Sequence, residues 1–419
     1  MNVVDTIMAG RLSPDDLAAI AIGWSGSLPF FVLSMGILTA INPIIAQLIG
    51  ANKTDSVGKH LRQTLWFSQL FAVITYFILQ NLEPVLALLD VSENIIPLAM
   101  KYIRAISYGI FPVYAFMSLR FFNEGMSVTK PAMYITFTGL IANIGLNYVL
   151  MYGKLGFPVM GAEGCGYATS IVWTIMFFGM VIFVTRYETY KKYRLFEELR
   201  WPEWLYFREL IQLGVPIGIS STMEVSMFAL VSLVMGSIGT QAVAAHQIAI
   251  NVASILFMIP FGLSTAITAR VGLAKGADSW QEVLYRGKVG IGITVILMFF
   301  TAALLAIFPD FITRIYTEDT AVQQMAAGLL LMAALFQLSD GLQVSGFGAL
   351  RGLKDTRIPM FVNILAYWII GFPLGYYLGI MAGVGPVGLW IGLIAGLSVA
   401  ALLHNLRFYY LTKRGLAGT

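Results

Sequence analysis

The stretch VPIGISSTMEVSMFALVSLVMG, residues 215–236, holds one charged side chain, Glu224, among twenty-one uncharged residues. An α-helix rises about 1.5 Å per residue and the hydrocarbon core of a bilayer is about 30 Å thick, so a helix of this length crosses a membrane. The stretch LLLMAALFQLSDGLQVSGFGAL, residues 329–350, has the same form around Asp340. Both stretches therefore predict membrane-spanning helices that each carry one acid.

The composition extends this prediction to the whole chain of 419 residues. Hydrophobic residues make up 58% of it, charged residues only 11%, and the mean hydropathy is +0.79, which is far from the values of a soluble domain. The fold class is therefore all-α and membrane-embedded. We mark eleven apolar stretches: Leu17–Leu48, Leu65–Leu89, Ile95–Phe122, Ala132–Tyr152, Gly164–Tyr187, Leu210–Gly239, Val243–Ala269, Val289–Phe311, Val322–Leu350, Ile358–Ile380 and Val387–Tyr410.

A shorter apolar segment, Asn2–Gly10, precedes the first of these stretches. It is too short to cross a bilayer, so we interpret it as the end of a first helix that is truncated in this chain. The expected bundle then has twelve helices. The start of the chain shows neither the basic region nor the cleavage site of a signal peptide.

Lys and Arg residues set the expected orientation, because cytoplasmic loops retain positive charge. Twenty-one of the 26 Lys and Arg residues fall on the side of the membrane that holds the loop after Leu17–Leu48. The other side keeps only Arg11, Lys101, Arg104, Lys154 and Arg314. This bias predicts a multi-pass protein with a cytoplasmic C-terminus.

An internal repeat divides the chain. GILTAI at residues 36–41 recurs as GLSTAI at residues 262–267, and the same offset of 226 residues places Gly50-Ala51 on Gly276-Ala277. The longest polar stretch, from Arg186 to Glu209, lies between the two copies. We predict two six-helix lobes of like topology, an N-lobe over residues 1–187 and a C-lobe over residues 210–419, joined by a cytoplasmic linker over residues 188–209.

Three acids lie within predicted spans: Asp5, Glu224 and Asp340. No Lys or Arg is near them within those spans, and an intramembrane acid is a functional hypothesis by default. Each must be protonated, bind a cation, meet a cationic ligand or face water. The structural alternative for each is a carboxyl group that is hydrogen-bonded between helices.

Other side chains share helix faces with these acids or with each other. Phe228 follows Glu224 by one turn, Gln247 shares a face with Asn251, and Asn143 forms a polar pair with Asn147. These residues are candidates for lining a substrate cavity. Ordinary core packing and hydrogen bonding between helices remain the alternatives.

Four segments together resemble a known family: VVDTIMAGRLSPDDLAAIAIG (residues 3–23), NPIIAQLIGANK (42–53), MEVSMFALVSLVMGSIGTQAVAAHQIAIN (223–251) and SDGLQVSGFGALRGLKDTRIP (339–359). The chain is similar to NorM-type members of the multidrug and toxic compound extrusion (MATE) family over its whole length. The resemblance implies a two-lobe bundle. It also implies a multidrug efflux antiporter in the inner membrane of a bacterium, with drugs and the lipid bilayer as its partners.

The resemblance also implies roles for particular residues. Glu224 and Asp340 match the acidic pair that binds the coupling cation in the C-lobe, and they would be metal ligands if that cation is Na⁺. Asp5 matches the acid of the first helix. Positions near the drug are matched by Phe228, Gln247 and the loop acid Asp319.

Two departures bear on the coupling ion. Sodium-coupled relatives have a tyrosine one turn before the aspartate, where this sequence has Phe336, whose ring offers no oxygen ligand. Archaeal relatives have an acid where Asn147 stands. The ion therefore stays open between H⁺ and Na⁺, and no further cofactor is implied.

The remaining alternatives belong to other functional classes. A flippase for lipid-linked sugars is expected to hold several cavity Arg residues, and the spans are almost free of Arg. An intramembrane enzyme is expected to show a clustered nucleophile and base, or an H-E-x-x-H motif, and the sequence has neither. A single cysteine, Cys165, excludes a disulfide framework, and nothing indicates nucleic acid as a partner. We expect a monomer that is not an enzyme.

Overall fold

The computed structural model describes residues 2–88, 92, 94–196 and 201–418, and these residues form helices without a β-strand. The helices of the first half are α1 (Asn2–Gly10), α2 (Pro14–Leu38), α3 (Ile41–Gly50), α4 (Thr54–Gln80), α5 (Glu83–Leu88), α6 (Ile96–Ser107), α7 (Ile110–Gly125), α8 (Lys130–Tyr152), α9 (Gly161–Arg186) and α10 (Glu188–Lys191). Those of the second half are α11 (Trp204–Ile238), α12 (Thr240–Gly276), α13 (Trp280–Ile307), α14 (Pro309–Tyr316), α15 (Thr320–Gly352), α16 (Arg357–Ile364), the π-helix π1 (Leu365–Gly371), α17 (Phe372–Tyr376), the π-helix π2 (Tyr377–Met381) and α18 (Pro386–Ala417).

The prediction of a helical membrane protein is confirmed. Nine helices within the described ranges are long and apolar enough to cross a membrane, or ten if α6 and α7, which bend by 50° at their junction, form one span. The predicted span Leu65–Leu89 is not among these ten. It lies in α4 and α5, and α4 is less apolar because Gln63, Gln69 and Gln80 interrupt it.

The glutamines of α4 are hydrogen-bonded, which explains why a long helix tolerates them. Gln63 donates to the Trp201 carbonyl at 2.9 Å, Gln69 to the Phe111 carbonyl at 3.1 Å, and Gln80 to the Ser107 hydroxyl at 2.8 Å. An amide that has a partner does not carry the cost of an unsatisfied polar group in an apolar environment.

Two compact units make up the chain. The first contains Met1–Ile41 and Lys53–Gly218, and the second contains Asn42–Asn52 and Ile219–Thr419. The sequence-based lobes differ from these units in two places. The segment 42–52, predicted with the N-lobe, belongs to the second unit, and the first part of α11 as far as Gly218 belongs to the first.

Within the first unit, α9 packs against α6, α7 and α8, and α2 packs against α6. Helix α2 begins at Pro14, and the Ser13 hydroxyl caps it by accepting from the Asp16 amide at 3.0 Å. The Asp16 carboxylate in turn accepts from the Ala162 amide at 2.6 Å. This bond joins the start of α2 to the start of α9 and so fixes the helices around Asp5.

Within the second unit, α15 is central and packs against α12, α13 and α18. Helix α3 also packs here, and the Gln47 side chain donates to the Gly352 carbonyl at 2.8 Å. A Cβ at Gly50 would overlap the Leu273 carbonyl, and a Cβ at Gly276 would overlap the Gln47 carbonyl. The same offset of 226 residues relates Gly50 to Gly276 and Gln47 to Leu273. These reciprocal contacts are those expected between two copies of one repeat.

Candidate functional site

The first unit places Asp5 in a cluster of amide side chains. The Asn147 amide nitrogen donates to the Asp5 carboxylate at 2.6 Å, and it lies 3.5 Å from the Asn143 oxygen. Asn143 and the Cys165 thiol also interact with the carboxyl group. Asp5 is 5% exposed and both asparagines are buried. The structure therefore brings together three of the predicted site residues at the contact of α1, α8 and α9.

In the second unit, two aromatic side chains bring the helices of Glu224 and Asp340 together. Phe228 follows Glu224 by one turn of α11, and Phe336 precedes Asp340 by one turn of α15. Their rings meet edge to face with centroids 5.9 Å apart. The two acids therefore lie at the same level of the unit, and the Glu224 carboxylate acts electrostatically on Asp340.

The burial of these two acids differs. Asp340 is 1% exposed, and its Oδ2 atom has no hydrogen-bond partner among the described residues. Glu224 is partly buried. Like charges held close together in a low dielectric repel each other strongly, so the pair is stabilised by a proton or another cation. The donor set consists of oxygen atoms, which suits a proton or a hard cation such as Na⁺.

Aromatic residues surround the acids on the side of α18. The Trp390 ring lies 5.8 Å from Phe336 and 5.9 Å from His246, in both cases edge to face. The Trp390 indole nitrogen and the His246 Nδ1 atom are buried without hydrogen-bond partners in the described ranges. His246 Nε2 lies 2.9 Å from the Ser232 hydroxyl. His246 is therefore part of the wall near the acids, as a lone histidine and not as one of a metal-binding group.

One basic residue near Glu224 was missed by the sequence analysis. Arg351 is only 6% exposed, donates to the Ser264 hydroxyl at 2.6 Å and lies 4.9 Å from the Phe347 ring centroid. It acts electrostatically on Glu224. Its position at the end of α15 made it look like part of a cytoplasmic loop, and nothing in the sequence marks it as buried.

Three polar residues singled out in the sequence are not brought to the acids. Gln247 is exposed on α12, and Asn251 accepts a hydrogen bond from the Tyr316 hydroxyl at 2.8 Å. Asp319 is exposed and precedes Asp340 by 21 residues, which is about 30 Å along the helix. Its carboxylate accepts from the Ala321 and Val322 amides at 2.9 and 3.2 Å, so it caps α15.

Comparison with known proteins identifies the family. A family model described as MatE matches residues 1–149 and 216–377. The multidrug resistance protein MdtK of Yersinia pseudotuberculosis serotype O:1b is 40% identical across the whole of this chain and 92% of its own length. MdtK of Yersinia enterocolitica is 39% identical across 99% of this chain and 92% of its own length. The chain belongs to the MatE family.

The MatE fold agrees with solved structures. A MATE transporter in a bent conformation matches all of this chain and 92% of that chain with a TM-score of 0.91 at 18% identity. The eukaryotic MATE transporter AtDTX14 matches 99% of this chain and 93% of that chain with a TM-score of 0.86 at 20% identity. The expected fold class and family are therefore confirmed.

Membership of the MatE family also decides between the functional classes. This MatE chain is a multi-pass membrane transporter and not an enzyme. No group of three or more His, Cys, Asp or Glu side chains suited to a metal ion occurs in the part of the chain that the structure describes. The pair of acids on α11 and α15 is thus the candidate site of a transporter.

Proposed function

We propose that this MatE chain is a secondary exporter of amphipathic, often cationic drugs, which it antiports against H⁺ or Na⁺ by alternating access. The observation that carries the proposal is the buried Asp340 carboxylate, which lacks an internal hydrogen-bond partner and lies within electrostatic reach of Glu224. The names of the Yersinia relatives, multidrug resistance proteins, support the same substrate class.

Competition for the carboxylates supplies the coupling. A coupling cation and a cationic drug both gain free energy from Glu224 and Asp340, and they exclude each other when they need the same oxygen atoms. Binding of the inward-moving ion then releases the drug. Asp5, held by Asn147, is a second acid that this scheme assigns to the ion or the drug in the first unit.

The proposal includes a location. The excess of Lys and Arg on one side supports a bacterial inner-membrane protein with its C-terminus in the cytoplasm, acting as a monomer. Alkaline phosphatase fused after Thr419 should be inactive, and green fluorescent protein at the same place should fluoresce. The opposite pattern would reverse the proposed orientation.

Ethidium efflux from whole cells tests the function. Cells that express the chain should lose ethidium faster than cells without it, and Glu224→Gln or Asp340→Asn should reduce this gain at least about tenfold because an amide cannot carry the cation. Glu318→Gln is the matched control, since Glu318 is exposed. Normal efflux by both neutralised variants, at equal amounts of protein in the membrane, would refute the site.

A further inference from the structure

Tyr367 is a buried tyrosine that the proposed transport cycle has not used. It lies in π1, is 0% exposed, and its hydroxyl has no hydrogen-bond partner among the described residues. A buried hydroxyl without a partner costs about 1–3 kcal/mol. A side chain in this condition is a sign of a ligand that the hydroxyl contacts.

Two contacts place this hydroxyl at the acids. The indole nitrogen of Trp368, the next residue, donates to the Met223 carbonyl at 3.2 Å, and Met223 directly precedes Glu224. Tyr367 also belongs to one apolar cluster with Phe336, one turn before Asp340. Both carboxylates act electrostatically on the Tyr367 hydroxyl.

The π-helical backbone and its packing hold Tyr367 in this place. A π-helix forms i→i+5 hydrogen bonds, is rare, and occurs mostly at functional sites. Ala366, Tyr367 and Gly371 are its buried residues. A Cβ at Gly392 of α18 would lie 2.5 Å from the Gly371 carbonyl oxygen, so the backbones of π1 and α18 approach closely only because glycine stands there.

We propose that the Tyr367 hydroxyl is a third oxygen ligand of the cation site at Glu224 and Asp340, and that the ion bound there is Na⁺. This inference rests on the proposed function and names its ion. Phe336 has no oxygen at the position one turn before the aspartate. Tyr367 supplies an oxygen to the same site from another helix.

The chemistry of a phenol fits both parts of this role. A phenol oxygen donates its hydrogen to a carboxylate while its lone pairs accept a cation, so one hydroxyl serves an acid and Na⁺ together. Hard cations prefer oxygen ligands, and two carboxylates with one phenol give a site of oxygen atoms alone. Two negative charges near the buried Arg351 are matched by one added monovalent cation.

Proteoliposomes that contain the full chain test the inference. Ethidium transport is measured at fixed pH against Na⁺ concentration, and again with a pH gradient in sodium-free buffer. The wild-type protein should respond to Na⁺, and Tyr367→Phe should need about tenfold more Na⁺ for half-maximal rate, since one charge-assisted bond is lost. Tyr377→Phe is the control, because Tyr377 is 57% exposed in the second π-helix.

A second measurement and a second variant separate ligand loss from misfolding. Na⁺ should raise the melting temperature of the wild-type protein and of Tyr377→Phe, and the rise should be much smaller for Tyr367→Phe. The double variant Phe336→Tyr with Tyr367→Phe should regain part of the Na⁺ response, because it returns a phenol oxygen to the site.

Each contrary result overturns a different statement. Wild-type transport that runs on a pH gradient and ignores Na⁺ overturns the choice of ion. A Na⁺ response in Tyr367→Phe equal to that of the wild type overturns the ligand assignment. Absence of wild-type transport under both conditions contradicts the proposed function itself.

Discussion

Asp5 in the first unit and Asp340 in the second are both buried acids in apolar helices, but only Asp5 has a strong internal partner. The Asn147 amide donates to Asp5 at 2.6 Å, the short distance expected of a charge-assisted bond. Asp340 has an oxygen without any partner in the described residues. The first acid is held by its own unit, whereas the second is left to bind something else.

The repeat shows how the two sites came to differ. The offset of 228 residues that relates Pro131 to Pro359 places Asn143 on Gly371 and Asn147 on Gly375. The asparagines hold Asp5, whereas the glycines allow π1 and α17 to pack against α18. One repeat position thus serves an acid in one half and a backbone contact in the other.

The same offset places Tyr367 on Gly139, so a phenol at this position is present in the second half only. The polar group that faces the acids in the second half therefore comes from a different position of the helix. The two halves share a fold but are not two copies of one binding site.

Gly392→Ala is expected to have the largest effect on the folded protein, because it attacks the contact that distinguishes the second half. The added Cβ would overlap the Gly375 Cα atom and crowd the Gly371 carbonyl, and neither is a flexible side chain. We expect a loss of about 3 kcal/mol, the upper end for overpacking. A lowered melting temperature in detergent measures it.

Gly262→Ala is the matched control, since a Cβ there would meet nothing within 4 Å. It should leave the melting temperature nearly unchanged. Equal melting temperatures for Gly392→Ala and the wild-type protein would mean that α18 does not need the close contact with π1.

Asn147→Ala is expected to have the next largest effect and tests the first half of the comparison. The variant removes the donor at 2.6 Å and leaves the Asp5 carboxylate without it, at a cost of about 1–3 kcal/mol. The double variant Asp5→Ala with Asn147→Ala should lose less than the sum of the two single variants, because the two residues form one pair.

Asn81→Ala serves as the control, since the exposed Asn81 side chain donates only to the Phe77 carbonyl one turn earlier. Unfolding free energies from urea titration compare the three proteins. Strict additivity of Asp5→Ala and Asn147→Ala would show that the two side chains do not interact, and the contrast with Asp340 would then disappear.

The sequence predicted the elements whose signals are local. Span positions follow from runs of apolar residues, and the acids at Glu224 and Asp340 stand out because a charge within such a run is rare. The pair formed by Asn143 and Asn147 was visible from its spacing of four residues. Repeats that share short motifs were also visible, and their reciprocal contact at Gly50 and Gly276 agrees with them.

What the sequence did not predict depends on tertiary contacts. Tyr367 and Trp390 look like ordinary aromatic residues of a span, and only packing reveals that their polar atoms are buried without partners. Arg351 is buried although it ends a helix, because Ser264 and Phe347 receive its guanidinium group. The π-helical turns have no simple pattern of hydrophobic residues that would announce them.

Asp319→Ala should have the smallest effect and bears on the resemblance that gave Asp319 a role with drugs. The carboxylate accepts from two amides at the start of α15, so the variant loses a helix cap at a cost of about 1 kcal/mol. Asp319→Ser keeps a capping oxygen without the charge and should recover most of this stability. If the cap is the whole role of Asp319, ethidium efflux by Asp319→Ser equals that of the wild type. Reduced efflux of ethidium by a stable Asp319→Ser protein would instead give the Asp319 charge a part in drug binding, about 30 Å along α15 from the acid that the second unit leaves without a partner.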